Sequence, residues 1–147
     1  MHCIKEFHYS VSNPNNRIDI VLSINGIPVV AMELKHEMSG QDVNNAMVQW
    51  MTSRSYNEPC FELDRRFLVY FAMDTSLVYM TTHLKGEKTH FLPYNQGSNG
   101  SGNSGGAGNP ISTYGEYTTS YLWKNILTKD SLLEILHKYI KCLKKKY

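Results

Sequence analysis

One continuous stretch decides the fold of this chain: RIDIVLSINGIPVVAMELK, residues 17–35. In its first part, residues 17–24, aliphatic side chains on one face alternate with mainly polar side chains on the other, as in a half-buried strand. Asn25-Gly26 is the strongest short signal for a hairpin turn. The second part, residues 27–35, is almost wholly apolar until Glu33 and Lys35, which is typical of a central strand buried on both faces.

The segments around this hairpin predict an α/β domain with a mixed central sheet flanked by helices. Ser39 or Asp42 is expected to cap a helix. The apolar stripe of that helix has a spacing of three to four residues and comprises Val43, Ala46, Met47 and Trp50. Further strands are predicted over residues 66–72 and 77–82, and apolar helical segments over residues 121–127 and from residue 130. Trp50 and Trp123 are both expected in the core.

The composition excludes several classes of protein. With 147 residues, the chain is long enough for one domain and too short for two, so residues 1–147 are taken as a single domain. Lys and Arg total 15 against 13 Asp and Glu, which excludes a polycation. Neither a membrane span nor a secretory signal is visible. The three cysteines are far apart and fit neither a disulfide framework nor a zinc site, so a reduced, cytoplasmic protein is expected.

A low-complexity tract, QGSNGSGNSGGAGNP at residues 96–110, separates the strand-rich part from the helical tail. It has almost no apolar surface to offset the entropy lost on ordering, so a flexible loop is predicted. The chain contains no G-x-x-x-x-G-K-[ST] phosphate loop and is therefore not expected to bind ATP.

Two carboxylates and a lysine in the hairpin carry the chemistry. Asp19 lies on the first strand and Glu33 on the second, and Lys35 follows Glu33 by two residues, hence on the same face. Together with the backbone carbonyl of Leu34, the two carboxylates would form an oxygen site of the kind that Mg²⁺ prefers. Lys35 could orient an attacking water and stabilise charge growing on phosphorus. The metal would lower the pKa of that water and polarise a phosphodiester.

A shared site requires one extra residue in the hairpin. A regular two-residue turn at Asn25-Gly26 would pair Asp19 with Met32, so that Glu33 would point to the opposite face. We therefore predict a three-residue loop, Ile24-Asn25-Gly26, with Gly26 in the left-handed region, or another single-residue bulge.

Taken alone, the spacing of these charges is more typical of a surface hairpin with solvated charges than of a metal site. The surroundings favour a site, because charges that end an apolar central strand are costly to bury unless they are paired or bound to metal.

The same stretch resembles the nuclease motif of type I restriction enzyme R subunits (HsdR-type), R-x-D-I-V-L-F-x-N-G-x-P-x-x-x-x-E-L-K. The resemblance continues in RRFLV (65–69), AMD (72–74), VYMTT (78–82), FLPYN (91–95), GNP (108–110), TSYLW (119–123) and KDSLL (129–133). It covers most of the chain from about Phe7 onward. That family is similar in fold to PD-(D/E)xK nucleases, so the resemblance implies a restriction-endonuclease-like core.

The resemblance implies an endonuclease domain that cuts double-stranded DNA with Mg²⁺. Asp19 and Glu33 would be its metal ligands and Lys35 its catalytic lysine. ATP would serve only a separate motor domain, which this chain lacks, so the chain looks like an excised or truncated piece. The implied partners are double-stranded DNA and the modification and specificity subunits of a restriction complex. Two alternatives remain: a stand-alone PD-(D/E)xK repair nuclease, and an inactive fragment that only binds DNA or partner subunits.

The chain departs from the family pattern in two places. Family members often carry Gln-x-x-x-Tyr on the helix after the motif, whereas here Ser53 follows Gln49 at that spacing and the next tyrosine is Tyr56. Gln49 is therefore a candidate to contact DNA or to order the site. Family members also have a preceding segment that can supply a further acid. Glu6 could stand in for it, although a surface role is expected.

Among the arginines, Arg17 lies closest to the motif and is the candidate for binding a DNA phosphate. Arg54 and Arg66 are expected to be surface or structural residues.

Overall fold

The structure is a computed structural model that describes residues 1–63, 66–98, 107–112 and 115–144, with side chains of the last helix described as far as Lys138. Within these described ranges, six strands follow one another across a single sheet in chain order: β1 (His2–His8), β2 (Arg17–Ile24), β3 (Ile27–Leu34), β4 (Val69–Met73), β5 (Val78–Thr81) and β6 (Leu92–Pro93). Neighbouring strands are antiparallel except β3 and β4, which are parallel. The predicted mixed sheet is confirmed, with β3 at its centre.

The connection between the two parallel strands contains the helix that was predicted there. It begins as α1 (Val43–Val48) and continues as a π-helical turn (Gln49–Ser53). Asp42 caps it: the carboxylate accepts from the backbone N–H of Asn44 at 2.9 Å and of Asn45 at 3.2 Å. The Asn45 side chain accepts the Asp42 N–H in return, which completes a capping box. A 3-10 turn (Glu37–Ser39) precedes this helix, and another (Pro59–Phe61) follows it.

The hydrophobic core lies on both faces of the sheet. On one face, α1 and the π-helical turn pack on β2, β3 and β4, and aromatic rings fill the space beside them. The buried members on this side include Val21, Ala31, Val43, Ala46, Trp50, Phe61, Phe67 and Tyr70. Trp50 is wholly buried, and its indole N–H donates to the Phe71 carbonyl at 3.0 Å. Burial of such large rings supplies much of the stability of a domain of this size.

The opposite face is covered by the chain after β6. A second π-helical turn (Leu122–Ile126) leads into α2 (Lys129–Lys144). Their buried residues include Leu122, Leu127 and Leu132, which pack with Leu22, Val30, Met32 and Phe71 of the sheet. The prediction that Trp123 is a core residue is wrong, because its side chain is 46% exposed. The apolar patch of this segment is narrower than the sequence suggested, and Trp123 lies at its margin.

Two strands were not predicted. β1 is exposed along nearly its whole length, so it lacks the apolar alternation that identifies a half-buried strand. It nevertheless pairs with β2 from His2 opposite Ser23 to His8 opposite Arg17. β6 has only two residues and offers no periodicity at all.

The two ends of the Gly-rich tract lie close together. The Gly97 N–H donates to the Gly108 carbonyl at 2.7 Å. The Asn109 amide donates to the Ser76 carbonyl at 2.8 Å and to the Asn95 side chain at 3.0 Å. Residues 99–106 lie outside the described residues, so the flexibility of the 96–110 loop stays a prediction. In the described ranges, no helix combines the length and the apolar character needed to cross a bilayer.

Candidate active site

The hairpin contains the extra residue that a shared site requires. Its turn has two residues, with Asn25 at φ 50° and Gly26 at φ 80°. Positive φ at both positions is what a type I′ turn demands. Farther from the turn, Leu22 pairs with Val30, and the register shift leaves Val29 as a bulge. The three-residue loop is therefore wrong, and the alternative prediction of another single-residue bulge is confirmed.

The bulge brings the two candidate carboxylates to the same face of the sheet. Ile20 pairs with Met32 beyond it, so the next position sets Asp19 opposite Glu33. Asp19 also ties the strands together, since its Oδ2 accepts the Leu34 N–H at 2.8 Å. The carboxyl groups of Asp19 and Glu33 are close enough to interact directly. The face they share is the one that α1 covers.

Glu33 is fully buried, at 0% exposure. One carboxylate oxygen, Oε1, accepts from Nη2 of Arg54, and the other, Oε2, accepts from Nε2 of Gln49 at 2.9 Å. Burial raises the pKa of Glu33 to about 8; the charge of Arg54 opposes this rise, and the nearby Asp19 carboxylate adds to it. The pKa of this buried carboxyl, which lies next to a second acid, is thus shifted towards neutral pH, as the pKa values of groups in functional sites often are.

Gln49 and Arg54 reach Glu33 from the helical connection. Gln49, the candidate to contact DNA or to order the site, donates a hydrogen bond to Glu33. Arg54 was expected to be a surface or structural residue, and its side chain is buried, at 6% exposure. Its pairing with Glu33 was missed, because no local pattern reveals that a polar residue after a helix folds back onto a strand. The one available signal was the need of a buried acid for a cation.

Lys35 follows the last residue of β3 and continues its course. Its backbone N–H donates to the Met73 carbonyl at 2.9 Å, so the parallel pairing extends one residue past Leu34. Alternation along an extended strand then sets Lys35 on the face of Glu33. Lys35 is half-buried, and none of the ion pairs found between described residues involves it. It lines a crevice of about 230 Å³ along α1, whose other lining residues are Gln41, Asn45, Val48, Gln49 and Ser53.

Arg17 lies at the start of β2, at the rim of this region. Its Nη1 donates to Oε2 of Glu6 at 2.9 Å, and the two side chains are 43% and 71% exposed. In the β1–β2 register, Glu6 falls opposite Asp19, between the pairs Lys5–Ile20 and Phe7–Ile18. Glu6 has a φ of 49°, which interrupts the pairing of β1 with β2 at this position. The Glu6 carboxylate takes part in a surface ion pair with Arg17, which fits the expected surface role.

The donor set is suited to a hard divalent cation. Two adjacent carboxylates repel each other, and a cation between them would remove that repulsion. Among the described residues, no group of three or more His, Cys, Asp and Glu side chains is arranged to hold a metal ion. If a cation bound here, Asp19, Glu33 and the Leu34 carbonyl would be its protein ligands and water would supply the others, which is how Mg²⁺ is usually bound.

A central strand that ends in Glu-x-Lys beside an aspartate on the next strand, on a mixed sheet between helices, is the arrangement of the PD-(D/E)xK class. A family model described as type I restriction enzyme R protein N terminus matches residues 1–89, and the chain belongs to this family. The matched range includes the first five strands, α1 and all the candidate site residues. No curated protein matches the chain, and no solved structure does.

Proposed function

We propose that this chain is the endonuclease domain of a type I restriction R protein and hydrolyses phosphodiester bonds of double-stranded DNA with Mg²⁺. The observation that carries the proposal is the hairpin register, which brings Asp19 and Glu33 together on one face of the sheet. Lys35 follows Glu33 by two residues and lines the crevice along α1 together with Gln49. Membership of the family supports the assignment to a restriction R protein.

Asp19, Glu33 and the carbonyl of Leu34 would hold the Mg²⁺. When bound, the metal would polarise the phosphodiester and make water a stronger nucleophile. Lys35 would lie near the attacked phosphate, where its ammonium orients the water and offsets negative charge that grows in the transition state. In the reaction, the water oxygen forms a bond to phosphorus and releases a proton to solvent, one P–O ester bond breaks, and the departing sugar oxygen takes up a proton from solvent.

DNA contacts of this domain would be to the backbone. Arg17 is exposed at the rim of the site, and its pairing with Glu6 is a surface ion pair that contributes little to stability. A phosphate could therefore replace Glu6 as the partner of Arg17 at little cost. Gln49, whose amide holds Glu33, would order the site rather than read bases. In the complete restriction complex, the modification and specificity subunits would be the partners, ATP would be used by a motor domain, and the location would be the cytoplasm.

One feature favours a second function, binding to a partner without catalysis. An apolar groove of about 640 Å³ lies on the sheet face opposite to the carboxylates. Its lining includes Leu22, Met32, Leu34, Leu122 and Trp123, and also Lys35, which lies beyond the end of β3 and lines the crevice along α1 as well. Leu34 and Trp123 are both substantially exposed, and exposed apolar surface of this kind often marks a protein interface.

Cleavage of supercoiled plasmid by the isolated chain tests the proposal. We expect Mg²⁺-dependent nicking or linearisation by the wild type, lost in Asp19→Ala and Lys35→Ala and retained in Lys88→Ala, an exposed lysine outside the site. Circular dichroism checks that each variant is folded. Cutting that survives in Asp19→Ala and Lys35→Ala would contradict the proposed site. A folded wild type that does not cut with Mg²⁺ would contradict catalysis by this chain and favour the binding-only function.

A further inference from the structure

Arg54 is a buried cation whose head group forms an ion pair with Glu33. Its Nη2 donates to Oε1 of Glu33, and its Nη1 donates to the Tyr9 hydroxyl at 3.4 Å. Its Nε is buried and has no hydrogen-bond partner among the described residues. An arginine placed only to satisfy its own donors would not leave one of them unpaired. The orientation of the guanidinium is therefore set by Glu33 and by its packing.

Two aromatic rings fix the position of the guanidinium. The central carbon of the guanidinium lies 5.2 Å from the ring centroid of Tyr9 and 5.7 Å from that of Trp50. Both distances are in the range of cation–π attraction. Trp50 is itself immobilised by complete burial and by its hydrogen bond to Phe71. The cation is thus held in place before any ligand arrives.

The π-helical turn brings a second donor to the same carboxylate. Gln49 begins this turn and Arg54 follows its last residue, so the two are five positions apart. In an α-helix, five residues advance by about 500°, and the two side chains would point in directions about 140° apart. The wider π-helical turn, with bonds from residue i to i+5, reduces that angle. Gln49 and Arg54 consequently hold the two different oxygens of Glu33.

We propose that Arg54 is a positioning residue, which with Gln49 clamps the Glu33 carboxylate in the orientation that faces Asp19. The inference rests on the proposed function, because the orientation of Glu33 matters for cleavage only if Glu33 binds the metal. A guanidinium presents a planar fork of donors to a carboxylate, whereas an ammonium is a single flexible point charge. The clamp therefore depends on the shape of the arginine head group as well as on its charge. Arg54 acts through Glu33 and touches neither DNA nor metal.

The test compares Arg54→Lys with Arg66→Lys, an exposed arginine outside the site. Plasmid cleavage is measured with Mg²⁺ over a range of DNA concentrations. We expect kcat to fall by about 10–100-fold in Arg54→Lys, as for other residues that orient metal ligands. KM for DNA should stay unchanged, and Arg66→Lys should behave as the wild type. Reduced thermal stability with an unchanged kcat of the folded protein would overturn the proposal, because a merely structural role has that result.

Ca²⁺ binding, measured by calorimetry, separates this inference from the proposed function. We expect the affinity for Ca²⁺ to fall by about 10–100-fold in Arg54→Lys and not in Arg66→Lys. A wild type that binds Ca²⁺ without cutting DNA would refute the proposed function and leave this comparison valid. Equal affinities in both variants, or no Ca²⁺ binding by the wild type, would overturn the clamp. If Arg54→Lys does not fold, Gln49→Met removes the other arm, and the same losses are expected of it.

Discussion

Replacing Glu33 with glutamine should abolish a specific pH dependence of stability in the metal-free protein. The folded state binds the Glu33 proton more tightly than the unfolded state does, since burial raises the pKa from 4.5 to about 8. As the pH rises from 4.5 towards 8, the unfolded chain releases this proton while the folded chain keeps it. Stability contributed by this group is therefore present below pH 4.5 and is lost progressively up to about pH 8.

The size of this effect follows from the pKa of Glu33. The shift from 4.5 to about 8 corresponds to roughly 5 kcal/mol over the whole window, at 1.36 kcal/mol for each pH unit. About 2 to 3 kcal/mol of that loss falls between pH 5 and pH 7. A domain of this size is stable by about 5–15 kcal/mol, so the loss is large enough to measure. Glu33→Gln keeps the volume of the side chain and cannot ionise.

The assay is urea denaturation at pH 5, 6 and 7 with a chelator present, for the wild type, Glu33→Gln and the exposed control Glu87→Gln. Between pH 5 and 7, the free energy of unfolding of the wild type and of the control should fall by about 2 to 3 kcal/mol more than that of Glu33→Gln. Contributions to the pH dependence that all three proteins share cancel in the comparison. If the free energy of unfolding depended on pH in the same way for the wild type and Glu33→Gln, the reasoning would be refuted, because Glu33 would then ionise at its ordinary pKa in the folded state.

Three further predictions concern activity and stability. Lys35→Ala should lower Mg²⁺-dependent plasmid cleavage by at least about 100-fold while calorimetry shows unchanged Ca²⁺ binding; lost Ca²⁺ binding would mean that Lys35 supports the metal site instead. Asp74→Ala removes the acceptor of three backbone N–H groups, so urea denaturation should show a loss of about 3 kcal/mol. Asp42→Ala, which removes only a helix cap, should lower the free energy of unfolding by about 1 kcal/mol. Equal losses of stability in Asp74→Ala and Asp42→Ala would contradict this account. Trp50→Ala should cost about 3–5 kcal/mol and the exposed Trp123→Ala less than about 0.5 kcal/mol, which thermal unfolding can compare.

The central hairpin and its helix could be predicted because their signals are local. Alternation identified β2 with its bounds, Asn25-Gly26 located the hairpin, and Ser39 or Asp42 was expected to cap the helix, of which Asp42 is the cap. The need for one extra residue also followed from counting along two strands. Its location did not, since a two-residue turn and a bulge at Val29 have the same effect on Glu33 as a longer loop. The choice between the bulge and the longer loop depends on packing that involves the whole sheet.

Other parts of the molecule depend on contacts distant in sequence. β1 is an exposed edge strand, and only its pairing with β2 defines it. Trp123 has the spacing of a buried helical residue but lies at the margin of the second helical layer. The pairing of Arg54 with Glu33 joins residues 21 positions apart, across a helix and a strand. A sequence shows that a buried acid needs a partner, but it does not show which of several cations is within reach.

The bulge at Val29 has a consequence for how this site should be searched for and redesigned. A strand one residue shorter between Gly26 and Glu33 would reach the same pairing with Asp19 in a regular hairpin, because the bulge absorbs one residue. Two different spacings between the acids therefore describe one and the same arrangement. A search pattern that demands a single fixed spacing would reject chains with an equivalent site. Deleting Val29 would keep the two carboxylates opposite each other, but it would also remove a buried core residue whose carbonyl accepts the Leu68 N–H.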